Sequence, residues 1–260
     1  MSRALATGLL LCSGLARAQS PAELVQSIDV DEHLGAQVPL SLRFTDDTGR
    51  AVRLADYFAD GKPVILALVY FNCPSLCGLV LHGEGEALGK LGGAVDYRTL
   101  TVSIDPKDRP EGAKVRKERL LTDLRRPTKP EEWPFLTGDE ASIRALARTV
   151  GFRYVQDPRT GQFAHPAVLI VLTPSGRVAR YLYGVEFPPL DVRFALTEAQ
   201  QNRASMGPRL LLTCYRWDPA TRRYGFYIAG FMKLGGVVIL LSVAAMVAAL
   251  HRRGRRRERG

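Results

Sequence analysis

Two cysteines four positions apart carry the most chemistry of any pair in the chain. They sit in Asn72-Cys73-Pro74-Ser75-Leu76-Cys77, directly after the apolar run 64–71. On a helical turn, residues i and i+4 share a face, so both sulfurs can point into one small volume. A thioredoxin-type redox motif has two residues between its cysteines. This one has three, which suits thiolates spread around a metal and does not forbid a disulfide. Soft thiolates select Cu(I), Zn or an iron–sulfur cluster, and two ligands rarely complete such a site. A third ligand is expected, and His165, between the loop 156–164 and the apolar stretch 167–172, is the candidate. Two sulfurs and one imidazole form a three-coordinate set that suits Cu(I) and can also hold Cu(II). Two alternatives stay open: a structural disulfide, plausible in an oxidising compartment, and a dithiol that exchanges with client cysteines without needing His165. A peroxidase-like reading, with Cys73 acting alone, lacks the Thr or Ser expected just ahead of such a cysteine.

The remaining candidates are weaker. Asp105 ends an apolar strand on the same sheet edge as the cysteines. His82 lies five residues past Cys77, on another helix face, and is expected to be exposed. His33 precedes the domain and takes no role. Cys214 is an odd thiol once Cys12 is set aside, and is read as buried and inert.

The elements that would position these residues follow from local pattern. Residues 40–44 and 51–54 flank Asp46-Asp47-Thr48-Gly49, a hairpin signal. Residues 64–71 form a continuous β-rich apolar run, as expected of a strand covered on both faces. A helix follows Pro74 to about Leu91, then a second buried strand over 97–104 and a basic helix over 110–124. Asp139 is a candidate cap for a helix carrying Ile143, Leu146, Ala147 and Val150 at helical spacing. Residues 167–172 form a third buried strand, Thr173-Pro174-Ser175-Gly176 a tight turn, 178–183 the returning strand and 191–200 a last helix. The order predicts an α/β, thioredoxin-like domain over 19–200, with an inserted segment around 114–134 that reads as an exposed basic helix and a loop.

The two ends bear on compartment. Arg3, an apolar run of residues 4–16 and Ala16-Arg17-Ala18 are the parts of a secretory signal peptide over 1–18, with cleavage expected after Ala18. That run is too short to span a bilayer, which takes about 20 residues. Residues 226–250 are apolar except for Lys233 and read as one C-terminal transmembrane helix, with Tyr224, Phe226 and Tyr227 at its outer interface. Residues 201–225 are the connector. The tail 251–260 holds six arginines, and the positive-inside rule puts it in the cytoplasm and the domain on the extracytoplasmic, periplasmic side. These segments absorb eight of the net +10 charges, so the basic balance reports topology and argues against a nucleic-acid partner.

Taken together, the chain resembles the Sco/SenC family of copper chaperones. The matching stretches are Gly61-Lys62-Pro63-Val64-Ile65-Leu66, Phe71-Asn72-Cys73-Pro74-Ser75-Leu76-Cys77, Val102-Ser103-Ile104-Asp105-Pro106-Lys107-Asp108, Phe135-Leu136-Thr137-Gly138-Asp139 and the late His165, in family order from about Leu34 to Gly184. The resemblance implies a thioredoxin-like fold that holds Cu(I) or Cu(II) through Cys73, Cys77 and His165. It implies Asp105 near the metal as a tuning group. It also implies delivery of copper to the dinuclear copper site of cytochrome c oxidase subunit II, or reduction of the cysteines there. Three departures stand out. Gly78 follows the second cysteine where the family often has Pro, Ser75 stands where Asp is common, and the anchor is C-terminal where many relatives carry an N-terminal one.

Overall fold

Val64-Ile65-Leu66-Ala67-Leu68-Val69 has no polar side to turn toward water, and it becomes the central strand of the sheet, with every residue buried. Burial of this kind contributes about 1.5–3 kcal/mol for each large aliphatic side chain. The structure is a computed structural model that describes residues 28–73, 76–91, 95–124, 132–201, 215–218, 223–226, 236–237, 239–243 and 246. In chain order the elements are β1 (Asp29–Val30), β2 (Arg43–Asp46), β3 (Ala51–Arg53), β4 (Val64–Val69), α1 (Leu76–Leu91), β5 (Arg98–Ser103), α2 (Pro110–Asp123), β6 (Phe135–Thr137) and α3 (Glu140–Thr149). They continue with β7 (Phe152–Arg153), β8 (Val155–Gln156), β9 (Phe163–Ala164), β10 (Val168–Leu172), β11 (Val178–Tyr183), α4 (Pro189–Gln200), β12 (Tyr215–Asp218) and β13 (Arg223–Phe226).

Seven strands form one sheet in the order β11-β10-β4-β5-β6-β2-β3. β4, β5 and β6 run parallel, joined by the crossovers through α1 and α2; β10 pairs with β4 and β2 with β6 antiparallel. This is the mixed α/β, thioredoxin-like arrangement the sequence predicted. The expected hairpins are present, and Asp139 caps α3 by accepting the Ser142 N–H at 2.7 Å.

Register explains why distant residues meet. β10 is antiparallel to β4, with Leu169 opposite Ala67. Carried past the last pairs, this register sets His165 level with Phe71, beside the loop that bears Cys73. On the other flank Ser103 pairs with Val69, so the turn after β5 approaches the same loop.

Two expectations need correction. The inserted segment read around 114–134 begins inside a crossover helix, which is exposed on most of its surface but not on all of it. Residues 114–123 are the body of crossover helix α2, whose Ala113, Lys117 and Leu120 are buried. Dense Lys and Arg masked an inward face, because Lys117 turns in to an ion pair. The connector 201–225 contains the antiparallel hairpin β12–β13, and Phe226 closes it opposite Tyr215. Tyr, Trp and Phe favour strands, and Phe226, expected as the first residue of the apolar segment, is the last residue of β13. The expectations for residues 1–18, Cys214 and the tail lie outside the described residues, as does most of 227–250. Among the described residues, no helix is long and apolar enough to cross a membrane. Those described within the apolar segment, including Val237, Leu240 and Met246, are helical and exposed.

Candidate metal centre

Cys73 ends the turn after β4, and Cys77 lies in the first turn of α1. A loop at the carboxyl edge of a parallel strand, opening into a helix N-terminus, is where α/β folds gather ligands. The turn is closed by the Cys73 N–H donating to the Tyr70 carbonyl, and the Cys77 N–H points at Cys73 Sγ at 3.4 Å. Both cysteines are buried free thiols. His165 arrives from the start of β10, 4% exposed, with Nε2 3.0 Å from Cys77 Sγ. The two sulfurs and an imidazole nitrogen lie within 4.8 Å of one another, the one group of its kind among the described residues.

The imidazole is oriented. Its Nδ1 lies 3.0 Å from the Pro166 carbonyl oxygen. A proton on Nδ1 satisfies that carbonyl and leaves the Nε2 lone pair facing Cys77, the tautomer a metal ligand needs. The ring is walled by Tyr70 and Phe152, each with its ring centre 6.0 Å away, and Phe163 packs edge-on to Tyr70. The Tyr70 hydroxyl hydrogen-bonds to the Cys73 side chain; burial first, and then that bond, push the tyrosine above its ordinary range. Burial and the bond to Cys73 likewise push the Cys77 thiol up. Without a metal, Cys77 is therefore a protonated thiol at neutral pH, and metal binding must displace the proton. Two sulfurs with one oriented imidazole in a dry aromatic setting match a soft monovalent metal.

Asp105 is not one of the three grouped ligand residues. It is half-buried, and its carboxylate accepts the Lys107 N–H at 2.8 Å, so it shapes the turn after β5. Asp108 supports the cysteine loop instead. It is 4% exposed and accepts three hydrogen bonds: from the Phe71 N–H at 2.8 Å, Asn72 Nδ2 at 3.0 Å and Ser103 Oγ at 2.6 Å. Burial pushes its carboxyl above the ordinary range, against these donors. Asp108 and the aromatic wall were not assigned from the sequence. Asp108 stands in the quoted strand-end motif, three residues past the acid that was chosen. The wall comes from the residue after β4 and from β7 and β9, and has no local signature. His82 is exposed, as expected, and so is His33.

The SCO1/SenC family model matches residues 31–196. A search of the curated proteins found no match. Among solved structures, an Aquifex aeolicus VF5 protein provisionally assigned to electron transfer is 29% identical, with a TM-score of 0.56 over 65% of this chain and 95% of its own. Arabidopsis thaliana ScoI, solved with copper bound, is 20% identical, with a TM-score of 0.51 over 62% of this chain and 96% of its own. BsSco, described as a member of the Sco family of cytochrome c oxidase assembly proteins with a disulfide switch, is 23% identical, with a TM-score of 0.51 over 66% and 97%. The last two share the fold at this level of identity.

Proposed function

The chain belongs to the SCO1/SenC family, and we propose that it is a copper chaperone that carries the ion on Cys73, Cys77 and His165. The observation that carries this reading is the convergence of two buried thiols and one oriented imidazole within 4.8 Å. Copper here is cargo. Its release to a client asks for a site that is complete but reachable by exchange, and the exposed Asn72 beside Cys73 marks the approach. The client in this reading is cytochrome c oxidase subunit II or a protein with a similar copper site. The likeness to copper-bound ScoI and to BsSco, of a family of cytochrome c oxidase assembly proteins, supports that class.

The same reading makes the chain an exported, single-pass membrane protein, with its domain on the periplasmic side and its arginine-rich tail in the cytoplasm. The composition of 4–18 and 227–260 supports it, as do the exposed apolar residues Val237, Ile239, Leu240 and Leu241. A second reading, a thiol–disulfide reductase acting on the client's cysteines, is favoured by the free state and closeness of the two sulfurs. His165 separates the two, because only metal binding requires it.

The test is copper stoichiometry on the full chain in detergent, reduced and loaded anaerobically. One copper per chain is expected, lost in Cys73→Ala and Cys77→Ala and at least about tenfold weaker in His165→Ala. Unchanged copper retention in His165→Ala, or no specific copper in the unmodified chain, would overturn the chaperone reading.

A further inference from the structure

Arg116 lies on α2 with its guanidinium laid over Gly78, the residue that follows Cys77. A Cβ at position 78 would come within 2.8 Å of Arg116 Nη2 and 3.8 Å of Cζ. Glycine therefore leaves the space that the guanidinium occupies, and any side chain there would force it to move. Arg116 is half-buried and makes no hydrogen bond or ion pair with the described residues. A guanidinium carries five donors in a fixed plane, and withdrawing it from water without a partner is unfavourable. Gly78 directly follows the ligand Cys77, so the guanidinium lies beside the turn that carries the cluster. The neighbouring group that lacks a counter-charge is the metal cluster itself. Two thiolates and a neutral imidazole around a monovalent ion carry net charge −1, and around a divalent ion they carry none.

We propose that Arg116, admitted by Gly78, is a specificity-determining residue that balances the net negative charge of the Cu(I)-loaded cluster and so favours Cu(I) over Cu(II). This rests on the copper-site reading above. The guanidinium touches neither ion nor ligand. It acts through its charge, so its contribution falls on the monovalent complex and is nearly absent for the neutral divalent one. A unit charge beside such a cluster at a partly solvated site is expected to change affinity by about tenfold. The replacement of the family's proline by Gly78 and the presence of a cation at 116 are then two halves of one feature.

The experiment measures Cu(I) and Cu(II) affinities of the full chain in detergent, by chelator competition, for the unmodified protein, Arg116→Met, Arg116→Lys and Gly78→Ala. Arg116→Met should weaken Cu(I) by about tenfold and leave Cu(II) within about twofold. Arg116→Lys should restore most of the difference, and Gly78→Ala should reproduce part of the loss by displacing the guanidinium. The Cu(I) loss should shrink as ionic strength rises. Equal weakening of both ions in Arg116→Met, or no change in either, would overturn the proposal while leaving the three-ligand site standing. Absence of copper binding in the unmodified chain would instead overturn the site and this inference with it.

Discussion

Arg116 and Lys117 follow one another on α2 and meet different surroundings. Lys117 turns inward, with its side chain 6% exposed, and its Nζ sits 2.7 Å from Asp47 Oδ2. The other oxygen of Asp47 accepts the Phe135 N–H at 3.1 Å. The buried charges of Lys117 and Asp47 answer each other, and the pair ties the β2–β3 turn to α2 and β6. Arg116 leaves α2 about 100° away around the helix, its guanidinium over Gly78, and it makes no ion pair with the described residues. The difference separates two uses of a withdrawn cation. One closes a structural junction, and the other waits beside a cluster whose charge depends on what it binds.

The comparison is tested most severely at the closed junction. Asp47→Ala leaves Lys117 buried without its partner and the Phe135 N–H without its acceptor. Loss of one partner of a buried pair costs about 3–5 kcal/mol, to be read from urea unfolding of the full chain in detergent. Replacing both residues together, by Asp47→Leu with Lys117→Met, should cost much less, since two matched apolar groups leave no stranded charge. Both changes should leave copper stoichiometry alone. A loss under about 1 kcal/mol for Asp47→Ala, the scale of an exposed pair, would remove the distinction between the two regions.

Asp108 tests the metal side of the same comparison. It has no cation, yet its three donors fix the loop that carries Cys73. Asp108→Ala strands the buried Phe71 N–H and leaves the Ser103 hydroxyl only its long bond to the Asp105 carbonyl, and should cost about 2–3 kcal/mol. Unlike Asp47→Ala, it should also weaken copper binding, because the Cys73 turn loses its support. Asp105→Ala, by contrast, frees only the Lys107 N–H at a half-exposed turn and should leave copper affinity unchanged. Equal copper affinities for Asp108→Ala and the unmodified chain would show that the turn holds Cys73 without this carboxylate.

These residues also show where the sequence stopped being readable. β4 was legible because an apolar, β-branched run bounded by Pro63 and Asn72 has one reading, and the α3 cap because Asp139 and Ser142 are three residues apart. Cys73 and Cys77 were legible by type and spacing, and His165 by its place ahead of an apolar strand. The inward face of α2 was not, since Lys117 looks like any solvated lysine until Asp47, 70 positions earlier, is laid beside it. The support that Asp108 gives the Cys73 loop depends on the path of one turn, a matter of ångströms that spacing does not encode. The contact of Arg116 with Gly78 depends on how α1 and α2 pack. Position 78 showed only that something was missing from the usual pattern.

Glu84 is the case that neither region explains, and it offers the smallest effect. It lies on α1, 1% exposed, and neither carboxyl oxygen has a partner among the described residues. Burial holds its carboxyl well above the ordinary range, so the folded protein keeps it protonated. The unfolded chain gives up that proton near pH 4.3. The sign follows: the folded state binds the extra proton, so stability is lost as pH rises from the unfolded value toward the folded one. Glu84→Leu removes both the unsatisfied oxygens and this slope, and fits the apolar spacing of Val80, Leu81 and Leu88 around it. It should stabilise the protein by about 1–2 kcal/mol at neutral pH, and by less near pH 4, where the unfolded chain also keeps much of the proton. Urea unfolding at the two pH values reads both quantities. A gain that is larger at the lower pH, or a loss at both, would mean that Glu84 has a partner inside the fold, and that the buried charges of this protein are answered more completely than the contrast between Lys117 and Arg116 implies.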